Sequence, residues 1–396
     1  MPVAARLKVL IVASWYPNVD HAASGAFIRD QVLALAEFVD VAVLYTREAP
    51  VELEPVVTYE EGIPVVRAQL GMPRPTRAIL GRVRAVAKNL HNKLVRYPRV
   101  GLASYELLTS TWGSPDILHV QALWPAALIA RQVARRYGVP YVVTEHSEEY
   151  LAQSERRLVK TPGVLRLILR PLAGRAARTI AVSQYLADRL IDLGLAVRPE
   201  IVPNVVQVSP AAPMPTKMPR AIAHVSVMSP AKNLGALLIA VDRLRAHRQD
   251  FVLRLVGDGD FRPRIQDVAN ELHLAETVEF TGYMDLDGIH AILAESAFTI
   301  VSSTHETFSV VAADSLMCGR PVLSTRCGGP EEFITPAVGR LIQADSIDAL
   351  VDGLDWMLDH YSDFDPQALH EYARARFAPD VVAGRIVRIY LEVLGV

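Results

Sequence analysis

Residues 302–333 read SSTHETFSVVAADSLMCGRPVLSTRCGGPEEF. The apolar run 297–301 (AFTIV) before them is expected to form a buried strand that stops at Ser302. A short polar turn, 304–307, follows. Phe308, Val311, Ala312, Ser315 and Leu316 then recur at helical spacing, so a helix is expected from near Thr307, with Thr and Ser of the turn as N-caps. Gly319 and Pro321 end that helix. Residues 322–325 make the next strand, and Gly328-Gly329-Pro330 turns off its end. A strand, a loop and a helix N-terminus offer outward-facing backbone N–H groups, an arrangement that suits a diphosphate. Glu306 lies in the loop, within reach of a sugar. Asp314 follows about 12 Å further along a helix axis at 1.5 Å per residue. That separation lets two carboxylates bracket an elongated ligand; a glycosidase pair stands only about 5–9.5 Å apart.

Working outward, the second half of the chain alternates strands (222–227, 252–256, 278–281, 297–301, 322–325) with helices (234–247, 262–272, 286–295, 308–317). The first half does the same, with strands at 8–13, 39–45, 117–120, 141–145 and 179–182 and helices at 27–37, 125–137 and 184–193. Such alternation indicates α/β structure with parallel, doubly wound sheets. A chain of 396 residues exceeds one core. Residues 205–220 carry Pro210, Pro213, Pro215 and Pro219 and read as a linker. The expected organisation is a first Rossmann-like domain over 1–204, the linker 205–220, a second over 221–376, and a terminal helix in 377–396. Two such domains leave a cleft between the carboxyl ends of their sheets.

Composition narrows the function classes. Hydrophobic residues make up 51% of the chain, which favours packed cores over disorder. The formal net charge of −2 gives no general attraction to nucleic acid. Two cysteines form no disulfide framework and suit a reducing cytoplasm. No His/Cys cluster has metal-ligand spacing. No apolar run reaches 18 residues, and Trp15-Tyr16-Pro17 interrupts the N-terminal one, so neither a spanning helix nor a signal peptide is expected.

The pattern Glu306…Asp314, Cys318-Gly319-Arg320-Pro321-Val322 and Gly328-Gly329-Pro330-Glu331 resembles the signature of the retaining GT-B glycosyltransferases of family 4. Asp314 departs from it, since the second acid is usually Glu. The resemblance implies two Rossmann-like domains facing a central cleft, with the nucleotide-diphosphate sugar on the second and the acceptor entering from the first. Lys232 resembles the cation that holds the diphosphate, where it would neutralise leaving-group charge. Family members often carry an Arg five residues earlier; here that position is Val227. His146 resembles the cleft histidine that meets the donor sugar, completing a catalytic set of His146, Lys232 and Glu306. Donor contacts are implied at Gly25, Gly257, Gly259, Gly282, Tyr283, Thr307, Phe308, Ser309 and Val310, and Asp314 would hold the ribose. Domain closure would exclude water.

No metal or other cofactor is expected. Asp258-Gly259-Asp260 and Asp285-Leu286-Asp287 match the Asp-x-Asp pattern of metal-dependent transferases of another fold, yet read as loop and helix-cap residues. Arg262 replaces the third glycine of a dinucleotide motif. Arg74–Arg99 holds eight Lys/Arg and Arg156–Arg178 seven, each without Asp or Glu and with helically spaced apolar residues. They read as solvated faces, as basic amphipathic surfaces for an anionic membrane, or as a basic cleft wall for an anionic acceptor such as a lipid-linked pyrophosphate sugar. The overall expectation is a cytoplasmic transferase, peripheral on the inner face of the plasma membrane if those helices bind it. It would move a sugar, from UDP by preference, to a saccharide or lipid-linked saccharide in cell-surface polysaccharide synthesis. The alternatives are a UDP-sugar epimerase of the same fold and a non-catalytic sugar-nucleotide-binding protein.

Overall fold

A computed structural model describes residues 6–18, 20, 24–72, 91–151, 164–215 and 219–396. The first sheet contains β1 (Lys8–Ala13), β2 (Asp40–Ala49), β3 (Leu53–Glu60), β4 (Ile63–Gly71), β5 (Ile117–Gln121), β6 (Tyr141–Glu145), β7 (Arg178–Ala181) and β8 (Glu200–Ile201). Their spatial order is β3-β4-β2-β1-β5-β6-β7-β8. The second contains β9 (Arg220–Val225), β10 (Phe251–Val256), β11 (Val278–Gly282), β12 (Phe298–Val301), β13 (Val322–Thr325) and β14 (Gly339–Ile342), in the order β11-β10-β9-β12-β13-β14. The strand order reverses direction beside β1 and beside β9, and such switch points open ligand crevices at the carboxyl ends of the strands. Strands β1 and β12 are apolar and buried on both faces because helices cover both sides.

Among the described strands, only β3 and β4 pair antiparallel. Their hairpin turns at Glu61-Gly62, both at positive φ. The sequence reading missed it because β3 is an exposed edge strand whose charged and apolar residues do not mark a core. β8 and β14 were also missed; they have two and four residues.

The helix after β12 spans Val310–Met317, later than the expected start near Thr307. Ser309 sits at φ 72°, in the left-handed region, so the chain cannot wind helically until Val310, and no side chain caps this helix. The final helix, Pro379–Leu394, packs Val382, Ile386 and Tyr390 with Ile28, Val32 and Leu35 of the helix Ala26–Ala36 in the first half of the chain. Phe308, Phe333 and Phe377 form an aromatic trio with centroids 5.2–5.4 Å apart. The same core continues to residues of the first sheet, so the halves share buried apolar surface. Residues 207–215 have no regular structure. Buried Arg320 donates to the carbonyls of Ala212 (2.8 Å), Pro213 (2.6 Å) and Ala294, fastening this connecting segment to the second sheet.

Much of the two basic segments lies outside the described residues. Within them, Lys93 pairs with Glu48 at 3.7 Å and Arg96 with Glu52, while Arg170 donates to the carbonyl of Leu193. No helix among the described residues is long and apolar enough to cross a membrane.

Candidate active site

A cavity of about 440 Å³ lies between the two halves. It is lined by His146, Lys232, Glu306, Thr307, Phe308, Ser309, Val310 and Asp314, eight residues singled out from sequence. The first-turn N–H groups of an α-helix have no partners within it, and Val310 and Val311 bring those of this helix to the cavity wall.

Glu306 is held by its main chain as well as its side chain. Its N–H donates to Cys327 O (2.7 Å), and Gly329 N–H donates to its carbonyl (3.0 Å). A Cβ on Gly329 would lie 2.3 Å from Thr307 O, and one on Gly328 would lie 2.4 Å from the Tyr185 ring. The paired glycines therefore permit the close approach that fixes the Glu306 loop. Glu306 Oε1 accepts from Lys232 Nζ (2.6 Å) and Ser303 Oγ (2.7 Å). Burial works against charge on both partners, but the attraction within the pair prevails, holding the carboxyl low and the ammonium high. Among the described residues lining the cavity, Lys232 is the only Lys or Arg. Val227, at the position where Arg was expected, lines the cavity and is 64% exposed. His224 is no substitute: burial lowers its pKa to about 4, and it bonds Ile300 O and Ser226 Oγ.

Asp314, which also lines the cavity, is buried, which raises its pKa; His290 Nε2, 3.6 Å away, partly offsets that. Facing it from the first half is Asp30, which the sequence reading missed. Burial raises its pKa to about 6, with Asp314 adding to the rise; a bond from Gln207 (3.2 Å) opposes it.

His146 follows β6 and packs against the Phe27 ring, with centroids 4.8 Å apart. Burial lowers its pKa to about 3, so the imidazole is neutral at pH 7. Nε2 bonds Gln121 Oε1 at 2.8 Å, and Gln121 Nε2 donates to Gln31. Nε2 therefore carries the proton, and Nδ1 is an acceptor without a partner. Asn204, whose Oδ1 likewise lacks a partner, stands beside this ring and opposes the lowering of its pKa. Buried Glu145 accepts from the backbone of Leu123, His146 and Ser147, which fixes the loop bearing His146. The polar His119 and Gln121 on one face of apolar β5 were the sequence signal for this network.

The remaining donor candidates stand back from the cavity. Gly25, at φ 71°, lets the chain pass Trp15, to which a Cβ would approach within 2.8 Å; the adjoining Ala26 lines the cavity. Gly257 and Gly259 pack on the backbone of Ser226 and Met228. Gly257 N–H donates to Gly282 O, and Tyr283 is 59% exposed. The two Asp-x-Asp pairs have structural partners: Asp258 bonds Gly259 N–H and Arg262, and Asp285 caps a helix through Gly288 N–H. Across the halves, Glu332 accepts from the N–H groups of Gln184 (2.9 Å) and Tyr185 (2.7 Å), at the start of the helix Gln184–Asp192.

Two family models match end to end: Glycosyltransferase Family 4 over residues 25–209, and Glycosyl transferases group 1 over 210–376. The chain belongs to the family 4 type of GT-B glycosyltransferases. Among relatives, the 2-deoxystreptamine N-acetyl-D-glucosaminyltransferase of Streptomyces fradiae is 26% identical, covering 66% of each chain. The 2-deoxystreptamine glucosyltransferase of Streptomyces kanamyceticus is 28% identical over 68% of this chain and 74% of its own. The match to the first of these thus spans just under two thirds of its length. Sucrose-phosphate synthase of Thermosynechococcus elongatus superposes with a TM-score of 0.77 at 17% identity, over 98% of this chain and 100% of its own. Anabaena HepE in complex with UDP-glucose does so at 0.68 and 18%, with the same coverages. At these identities the structural likeness speaks for the GT-B fold alone.

Proposed function

We propose that this glycosyltransferase moves a sugar from a nucleoside diphosphate, UDP by preference, to a saccharide or lipid-linked saccharide, with retention at the anomeric carbon. The observation that carries this reading is the buried Lys232–Glu306 pair beside the free N-terminus of the helix Val310–Met317. An anionic diphosphate fits between the ammonium and the backbone N–H groups, where both stabilise charge developing on the leaving phosphate. Its arrival frees Glu306 Oε1 to accept from sugar hydroxyls. Asp314 takes the far, ribose end, and His146 Nδ1 accepts a hydrogen bond from the sugar. No protein nucleophile is assigned: the departing phosphate assists attack from the same face, and no metal takes part. The UDP-glucose complex of one fold neighbour, and relatives named for transfer of N-acetyl-D-glucosaminyl and glucosyl groups, favour the donor class. The role in cell-surface polysaccharide synthesis, the cytoplasmic location and the membrane-facing role of the basic segments belong to the same proposal.

The test is transfer from a panel of UDP- and GDP-sugars to saccharide acceptors, with product anomers read by NMR. Wild type is expected to give an α-linked product from an α-linked donor, and Glu306→Gln almost none. Equal activity of the two proteins would refute the assignment of Glu306.

A further inference from the structure

The cleft histidine is one end of a buried polar line whose other end lies on the terminal helix. Strand β5 sets it up. Its Ile117, His119 and Gln121 share one face. Ile117 packs in the core that contains Val382, Ile386 and Tyr390 of the helix Pro379–Leu394, and the face then turns polar inside those apolar surroundings. His119, Gln121, Thr144 and Tyr390 are fully buried. Tyr390 Oη is 2.5 Å from His119 Nδ1, and the two rings meet edge to face with centroids 5.5 Å apart. Thr144 Oγ1 is 2.6 Å from His119 Nε2. The amide nitrogen of Gln121 lies nearer to that Nε2 (3.2 Å) than to Nδ1 (3.5 Å). Its carbonyl oxygen is the one 2.8 Å from His146 Nε2.

Donor and acceptor chemistry gives this line one direction. Burial, with His146 adding to it, lowers the His119 pKa to about 3. Its ring is therefore neutral at pH 7, with one N–H and one bare nitrogen. An amide nitrogen only donates. Facing His119 Nε2, it requires that nitrogen to be bare, which places the proton on Nδ1. His146 Nε2–H then donates to Gln121 Oε1, Gln121 Nε2–H to His119 Nε2, and His119 Nδ1–H to Tyr390 Oη. The tautomer of an imidazole is set by the bond its other nitrogen makes. The phenol oxygen at one end thus fixes which nitrogen of His146 is open to the cleft at the other. Without that oxygen, His119 would bury an unpaired Nδ1–H, a costly arrangement. Moving the proton to Nε2, where Thr144 Oγ1 accepts it, removes the cost but leaves Nε2–H facing the Gln121 amide N–H. The amide is then driven to rotate, presenting N–H to His146 and moving its proton to Nδ1. The bond from Gln121 to Gln31 opposes that rotation, so a mixture of His146 forms is expected.

We propose that Tyr390 and His119 are positioning residues: together they hold His146 with Nε2 protonated and Nδ1 open to the cleft. The link to sugar transfer rests on the role proposed for His146; the hold on its tautomer does not. The experiment is nitrogen NMR of histidine-labelled protein, with steady-state transfer measured alongside. In wild type the two rings should be opposite tautomers, His119 protonated on Nδ1 and His146 on Nε2. Tyr390→Phe should convert His119 to the Nε2 form and give a mixture for His146. It should lower kcat about threefold or more, the scale of one hydrogen bond, with little change in KM. Tyr361→Phe is the control, since Tyr361 O–H donates to Pro215 O at 3.1 Å, outside this line. It should lose a comparable amount of Tm and leave both tautomers and kcat unchanged. The proposal is overturned if wild-type His119 carries its proton on Nε2, or if Tyr390→Phe leaves His146 wholly Nε2-protonated. It is also overturned if Tyr361→Phe disturbs His146 equally, which would mark a general loss of packing. A switched His146 with undiminished transfer would uphold the hold on the imidazole and refute its role in transfer. Failure of the donor reading would appear separately, as wild type without transfer, and leaves the NMR test in force.

Discussion

The two sides of the cleft differ in how many buried polar groups lack a partner. On the second-domain wall Glu306 is bonded to Lys232, Ser303 and its neighbouring backbone before any ligand arrives. On the first-domain side His146 Nδ1, Asn204 Oδ1, Thr46 Oγ1, Glu48 Oε1 and Tyr97 Oη have no partners. His290 Nε2, beside Asp314, is the exception on the second wall. A wall whose groups satisfy one another is preorganised and contributes to stability. A wall with unmet groups gives up stability and waits for the ligand to complete it. Substitutions should therefore lower stability and activity together on the second wall, and separate the two on the first.

The largest effect is expected at Glu306. Glu306→Gln should reduce transfer by about 100-fold or more, the scale of losing a preorganised polar contact. It should also lower Tm, because it leaves Lys232 buried without its counter-charge. An unchanged Tm in calorimetry would break the contrast between the walls. Next is Gln121→Leu, which releases the imidazole of His146. Transfer should fall about tenfold, as for a positioning group of about 1.4 kcal/mol, and nitrogen NMR of His146 should show loss of the single Nε2-protonated form. Retention of that form in the variant would exclude Gln121 as the orienting group.

Asp30→Asn tests the facing carboxylates. Because burial raises the Asp30 pKa to about 6, its ionised form weakens the fold. That penalty is absent below the ordinary carboxylate range, grows as pH rises towards about 6, and is fully present above it. The variant should gain Tm over wild type at pH 7–8 and lose the gain near pH 4. A difference independent of pH would contradict this. The smallest effect is expected for Glu332→Ala, which removes acceptors from the Gln184 and Tyr185 N–H groups. A loss of about 1 kcal/mol, as for a helix cap, should appear in chemical denaturation, with a few-fold rise in donor KM from weaker contact between the halves.

The second wall was the more legible from sequence, and for a physical reason. Its site residues lie on contiguous segments: strand, loop, helix and glycine turn within residues 302–333, with Lys232 just after β9. Local spacing could therefore reveal them, and only the helix start was misplaced, by the left-handed Ser309. The first wall is assembled from distant segments. Asp30 and Gln207 are 177 residues apart, and Tyr97 meets the polar end of β2 only because a helix folds over the sheet. No local pattern carries such pairings. The glycines Gly257 and Gly259 were visible as a turn, yet their closest contacts are with the backbone of Ser226 and Met228, a distinction that spacing could not make.

The central claim is that Lys232 and the neighbouring helix start hold a nucleoside diphosphate. Calorimetric titration of wild type and Lys232→Met with UDP, and with GDP and ADP as comparators, tests it most directly. Wild type should bind UDP, and the variant should bind it about 10- to 100-fold more weakly, the scale of a hydrogen bond to a charged group at about 1.5–3 kcal/mol. Equal affinities for UDP, or no binding of any nucleotide to wild type, would contradict the account.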